Sequence, residues 1–325
     1  MWRIVSVGIV AAVVLGVGAG AAAGPSDELF TFKDERIAES SGLASASWSD
    51  DVIYTHNDSG DSARFFAVDR TGATVGTYRL DGVRAIDWED MARGLDDDGK
   101  PALFLGDIGD NKASRKEIAV YRVPEPQGPD AALPWVRYRF RYADGPRDAE
   151  ALLVDPHDGR LYIASKVLFG RGAMYAAPEV LSTTEVNVLE PVGEVPSLVT
   201  AGDFSPDGSQ VALLTYGGVY VGPGVTGPFT RLTGVRLPQA EGLTYSRDGR
   251  SLLISSEGVH ASVEQVMLDA SVSPPPTAEA PAPTVTADPE AAVAPRDSPW
   301  PAAAAAVTIA VLAVITFWAM RRHPH

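Results

Sequence analysis

The chain has no cysteine, so disulfides, thiolate metal ligands and a thiol nucleophile are all excluded, and the fold rests on its core alone. Positive charge is scarce as well. There are 27 Lys and Arg against 42 Asp and Glu, a formal charge of −15 at pH 7. Three of those cations, Arg3, Arg321 and Arg322, belong to the two ends, and the stretch between is more acidic still. That balance argues against nucleic acid or anionic lipid as its partner and favours cations, carbohydrate or a basic protein surface, although solubility alone would explain it equally well. Histidine is rare too, with His323 and His325 in the last residues, His157 in a turn and His260 near a strand end. No Gly-x-Ser-x-Gly elbow, His-Glu-x-x-His or phosphate loop occurs, which removes the commonest hydrolase and nucleotide signatures. Between the ends, no stretch sustains a helical period over about ten residues.

Long apolar runs are confined to those ends. Residues 4–23 follow Arg3 and finish in Ala21-Ala22-Ala23, which predicts an exported signal peptide over 1–23, with an uncleaved anchor as the alternative. Pro301 to Met320 carries no charge and precedes Arg321-Arg322; this predicts a transmembrane helix over 301–320 with a cytoplasmic tail at 321–325. Residues 271–300 are rich in Pro, Ala, Thr and Ser and read as a stalk. The expectation is a single-pass cell-membrane protein with one extracytoplasmic domain over 25–270.

Within that domain the apolar runs are short, among them Val52-Ile53-Tyr54, Leu161-Tyr162-Ile163 and Ser251-Leu-Leu-Ile-Ser255, with Asp-Gly turns between them at Asp158-Gly159, Asp207-Gly208 and Asp248-Gly249. Many short strands with tight turns mean a sandwich, barrel or propeller. A recurring acidic phrase selects the propeller. It reads Glu39-Ser-Ser-Gly-Leu43, Asp87-Trp-Glu89-Asp-Met91, Asp148-Ala-Glu150-Ala-Leu152, Gly202-Asp203-Phe204 and Ala240-Glu241-Gly242-Leu243. The copies recur at roughly the 40–50 residues of a four-stranded blade, with extra loops in the longer units. The last unit has room for only three strands, while Leu29-Phe30-Thr31-Phe32 precedes the first with nothing to pair with. The expected fold is therefore all-β, a single propeller of five four-stranded blades closed by an N-terminal strand, or six if the long second unit hides a diverged one.

Phe204-Ser-Pro-Asp-Gly208 resembles the turn phrase of TolB-like and WD40-like propellers, and Ala240-Glu241-Gly242-Leu243 the strand openings of phytase-like and SMP-30-like propellers. The resemblance implies the fold, and for the metal-dependent members of those families it implies calcium held by acidic side chains near the central channel. The chain departs from them in lacking histidines placed as an acid/base set.

If the openings are equivalent, Glu39, Glu89, Glu150, Asp203 and Glu241 converge on the axis, and clustered carboxylates need a positive partner. The second strands end in His56-Asn57-Asp58, Asp107, Lys166, Tyr216 and Ser256-Glu257, which crowd the same mouth. His56, Asn57, Asp58, Lys166 and Glu257 are the candidate ligand contacts. Asp107, Asp110 and Asn111, in a Gly-rich loop, add oxygen ligands, or else cap their own backbone. Calcium would satisfy this set. Arg36, Arg84 and Arg147, just before three of the openings, would satisfy it without metal. Trp88 is expected to pack between blades. Two functions stay open: a module binding a cell-envelope protein, a glycan or a small molecule, and a calcium-dependent phosphoesterase, esterase or lactonase with Glu89, Glu150 or Asp107 as general base.

Overall fold

A computed structural model describes residues 21–269 apart from Ser59 and 234–238. The expected stalk and transmembrane helix, and most of the expected leader, lie outside the described residues. No helix among the described residues is long and apolar enough to cross a membrane; all regular structure there is β.

The strands are β1 (Ala21–Thr31), β2 (Ser40–Ser45), β3 (Val52–Asn57), β4 (Arg64–Asp69), β5 (Thr74–Arg79), β6 (Trp88–Leu95), β7 (Pro101–Asp107), β8 (Ile118–Pro124), β9 (Ala131–Ala132), β10 (Val136–Tyr142) and β11 (Ala149–Val154). They continue as β12 (Leu161–Ser165), β13 (Gly172–Ala176), β14 (Val186–Val195), β15 (Val199–Phe204), β16 (Val211–Thr215), β17 (Gly218–Gly222), β18 (Thr230–Thr233), β19 (Ala240–Tyr245), β20 (Ser251–Ser256) and β21 (Ser262–Leu268). Antiparallel pairing sorts them into meanders: β2 to β5, then β6 to β8 with β10, then β11 to β14, then β15 to β18, and finally β19 to β21 with β1. The early strand does complete the last meander, pairing antiparallel with β21 from Ala23 to Thr31.

The first strands of the meanders, β2, β6, β11, β15 and β19, each lie against the next, and β19 lies against β2. That closed circuit is a propeller-like arrangement, and the apolar core follows it. One cluster around Tyr54, Phe65, Trp88 and Leu105 joins the first two meanders. Others centred on Phe104, Leu152 and Tyr175, on Leu153 and Leu213, and on Leu214, Tyr245 and Leu252 fill the following gaps. Phe32, Leu43, Phe66 and Leu253 fill the gap between last and first. Trp88 is fully buried among them.

The outer edges are also covered. β10 pairs parallel with β14, and β18 with β1, so neighbouring meanders zip together at their rims. The first meander has no such neighbour; β9, from the long connection in the second unit, pairs parallel with its β5. The extra length of that unit thus goes into protecting an edge that would otherwise be open to pairing with another chain.

Candidate functional site: the carboxylate mouth

The end of the circuit where the first strands begin is built by one repeated device. In each first strand a β-bulge leaves one residue unpaired, and the positions are Ser41, Glu89, Glu150, Thr200 and Glu241. A bulge re-aims a side chain that the ladder would otherwise hold. Just outside this ring, a backbone amide at the end of each second strand closes onto the carbonyl before the first strand: Asp58 to Glu39, Gly109 to Asp87, Lys166 to Asp148, Tyr216 to Leu198 and Glu257 to Gln239. Two sets of residues, one from the bulges and one from the ends of the second strands, therefore meet at the mouth.

This register corrects the expected alignment of the acids. Glu89, Glu150 and Glu241 are equivalent, but Glu39 is not; it corresponds to Asp87 and Asp148, and it is exposed. Asp203 lies three residues beyond its own bulge, buried, where it accepts from Thr244 Oγ1 and the Tyr245 amide of the neighbouring first strand. The five acids do not form one ring. Ser41 and Thr200 hold the remaining bulge positions and donate to the Glu89 and Ala240 carbonyls of the next strand.

The three glutamates meet different surroundings. Lys166 donates to both oxygens of Glu150 and lies over the Tyr216 ring, 4.8 Å from its centre; Tyr216 donates to Glu241 at 2.5 Å. Burial pushes the Glu150 carboxyl up and Lys166 opposes it; burial likewise disfavours the Lys166 ammonium, but the Glu150 charge and hydrogen bond outweigh it. Burial also pushes the Glu241 carboxyl up to about 7, against its bond from Tyr216 and the nearby Lys166. Glu89 has no such neighbour. It is 5% exposed, and among the described residues no donor reaches its carboxylate or that of Asp87. Burial raises Glu89, and Glu150, Asp58, Asp87 and Asp148 raise it further.

One oxygen each from Asp58, Asp87 and Glu89 lies within 4.8 Å of the others. Oxygens on opposite sides of a calcium ion stand about 4.6–5.2 Å apart, so the cluster fits such an ion, with further oxygens needed to complete its six to eight ligands. Gly109 makes room for this. A Cβ there would fall 2.0 Å from Glu89 Oε1 and 2.6 Å from Asp87 Oδ2. The other four positions of the outer set carry side chains; glycine lets the backbone approach the two carboxylates.

The remaining predicted residues have structural contacts. His56 is fully buried, edge-on to Trp88 at 5.5 Å, with Nδ1 on the Asn57 carbonyl. Because a carbonyl only accepts, Nδ1 carries the proton. Asn57 ties the Ala38 and Glu39 amides to the Arg36 carbonyl and Asp61. Asp107 is buried against Arg115 at 2.7 Å, and Asp110 accepts the Arg115 amide at 2.6 Å, so their loop is largely closed on itself; Asn111 is exposed. Glu257 flanks Glu241 and is half-buried. Arg36 pairs with Asp34 and Arg147 with Asp144, while Arg84 is exposed. Among the described residues none of the three pairs with a glutamate of the mouth; Lys166 does so at Glu150, and Arg115 pairs with Asp107 outside it. Sequence reasoning missed Asp87 as a site residue, although it stands in the acidic phrase, and missed Gly109 and Asp90. The Asp90 carboxylate is fully buried and accepts the Leu152 and Gly202 amides of the two following first strands. Its only signal in the sequence is its place beside Glu89.

No family model matches the chain, and no curated protein matches it. Among solved structures it is similar to the Pan2 WD40 domain of Neurospora crassa, at 9% identity and a TM-score of 0.40, over 75% of this chain and 96% of that one. It is similar to a gluconolactonase of Xanthomonas campestris at 15% identity and a TM-score of 0.41, over 79% and 99%. The β-propeller domain of Cps50 (Swd1) from Myceliophteria thermophila matches at 11% identity and a TM-score of 0.40, over 75% and 100%. These three neighbours are a WD40 domain, a gluconolactonase and a β-propeller domain.

Proposed function

We propose that the chain is a membrane-tethered, extracytoplasmic five-bladed propeller that binds a ligand or protein at its acidic mouth, with calcium held by Asp58, Asp87 and Glu89. The blade count follows from reading each meander as one blade, since each gap between successive meanders holds its own apolar cluster. The tether rests on the uncharged run ending at Met320 before Arg321-Arg322. The cation rests on one observation: a 95% buried glutamate whose carboxylate no described donor reaches, with two further carboxylates close enough to share an ion. Burying such a charge without a partner costs several kcal/mol, roughly what a bound cation would offset. Thermal unfolding tests it. Calcium at about a hundred times its dissociation constant adds roughly 2.7 kcal/mol, and a melting temperature that ignores calcium, magnesium and chelator alike would end this reading.

A second reading, a calcium-dependent hydrolase, draws on the linked Glu150, Lys166, Tyr216 and Glu241, a set able to hold and pass a proton beside the carboxylate cluster. Asp107, paired with Arg115, stands outside that linked set. Assay of phosphoesters, lactones and aryl esters separates the two. Turnover abolished by Glu89→Gln and Glu150→Gln favours the enzyme, and none on any class favours the binding module.

A further inference from the structure

The loop between β12 and β13 starts inside the mouth at Lys166 and ends at Arg171, which pairs with Glu194. At its tip, Leu168 is 70% and Phe169 90% exposed, adjacent in sequence and directly followed by Gly170 at φ +85°. The backbone fixes where they stand. Val167 accepts the Leu198 amide and Leu198 accepts the Tyr216 amide, so the root of this tip is bonded to the next opening and to the half-exposed Tyr216. The result is an apolar strip on the rim between the third and fourth meanders. Immediately inside it lie Glu150 and Glu241, with Glu257 beyond. Adjacent large apolar side chains left open beside a charged rim mark an interaction site.

We propose that this rim docks a protein segment in which a lysine or arginine stands next to an aromatic or aliphatic residue. The basic side chain enters the mouth beside Glu241 and Glu257, and its apolar neighbour covers Leu168 and Phe169. The proposal rests on the mouth being the binding surface and names its partner. Charge selects the occupant. A bilayer would also accept Leu168 and Phe169, but surface insertion of such a loop draws on free basic residues for anionic headgroups. Here Lys166 is held by Glu150, and Arg171, the one other cation of the loop, stands beside Glu194 in a chain of formal charge −15. A basic segment meets complementary charge, which steers encounter and rejects acidic partners, while an aromatic anchor on Leu168 and Phe169 has the chemistry of an interface hot spot.

A phage-displayed library of random peptides, panned on the full chain separately in calcium and in chelator, tests it. The expected consensus is Lys or Arg beside Phe, Tyr, Trp or Leu. Its affinity should fall about tenfold or more in the Leu168→Ser, Phe169→Ser double variant, as the loss of anchor contacts predicts, and should weaken with salt. Both changes are on exposed side chains, so the fold survives them; Glu257→Gln supplies a second variant, acting on the charge alone. No enrichment, a neutral or acidic consensus, or equal affinity in the double variant would overturn the proposal. So would phosphatidylserine vesicles binding with the same dependence on Leu168 and Phe169. Failure of the calcium reading appears separately, as a melting temperature blind to calcium while peptides selected in chelator still bind.

Discussion

Replacing Lys166 by methionine keeps much of the side-chain length and its apolar stem but removes the ammonium that faces Glu150 and Tyr216. The pair is poorly screened, since the two side chains are 15% and 6% exposed. Breaking a buried ion pair from one side costs about 3–5 kcal/mol, because the remaining charge has lost its partner. Glu150 can limit that loss by taking up a proton, so the lower part of the range is expected at neutral pH. A domain of this size moves its melting temperature by about 2–4 °C per kcal/mol, and the single change should therefore lower it by roughly 6–12 °C. Adding Glu150→Gln removes the stranded charge. The double variant should then recover to within about 1 kcal/mol of the parent, the net worth of the hydrogen bonds still missing. Thermal and urea unfolding at pH 7, followed by circular dichroism, measure both. An unchanged melting temperature for Lys166→Met, or a double variant no more stable than the single one, would show that Lys166 does not neutralise Glu150.

Three further outcomes follow from neighbouring contacts. Gly109→Ala places a Cβ 2.0 Å from Glu89 Oε1, and should weaken calcium binding about tenfold while costing about 1–3 kcal/mol of stability for the forced shift; equal calorimetric affinity would refute the close approach. Asp90→Ala leaves the Leu152 and Gly202 amides without their acceptor and should cost about 2–4 kcal/mol in urea unfolding; a loss below about 0.5 kcal/mol would show those bonds to be unimportant. The Arg36 hydrogen bond is the main cause holding the Asp34 carboxyl down to about 2, against burial, so its folded value lies below the ordinary 3.8. Its contribution is therefore present above pH 3.8 and is lost as the pH falls towards 2. Arg36 is half exposed, which limits the effect to about 1 kcal/mol or less. Asp34→Asn should flatten the stability profile in that window, and an unaltered slope would contradict the pairing.

The propeller was legible because alternation, Asp-Gly turns and the acidic phrase all survive in the primary structure, and the pairing of β1 with β21 was legible from strand count alone. The level of each acid was not. A bulge adds one residue that only the ladder reveals, so Glu39-Ser-Ser-Gly looks like Glu241-Gly although Ser41 holds the equivalent place. Asp203 misled for a related reason, its acidic character matching the phrase while its position fell three residues late. Lys166 was visible as the residue after a strand, but its pairing with Glu150 depended on the bulge that re-aims that glutamate within the same meander, and its contact with Tyr216 on packing against the next. Gly109 carries no chemistry of its own, and its importance comes from two carboxylates brought against it by a separate strand. The parallel rims formed by β10 with β14 and by β18 with β1 have no sequence signal of comparable strength.

Isothermal titration of calcium into the full chain tests the central claim most directly, with Glu89→Gln and Glu241→Gln measured beside the parent. The cluster of Asp58, Asp87 and Glu89 predicts one ion per chain, lost or greatly weakened in Glu89→Gln and largely kept in Glu241→Gln. No heat from the parent protein, or equal binding by Glu89→Gln, would contradict it.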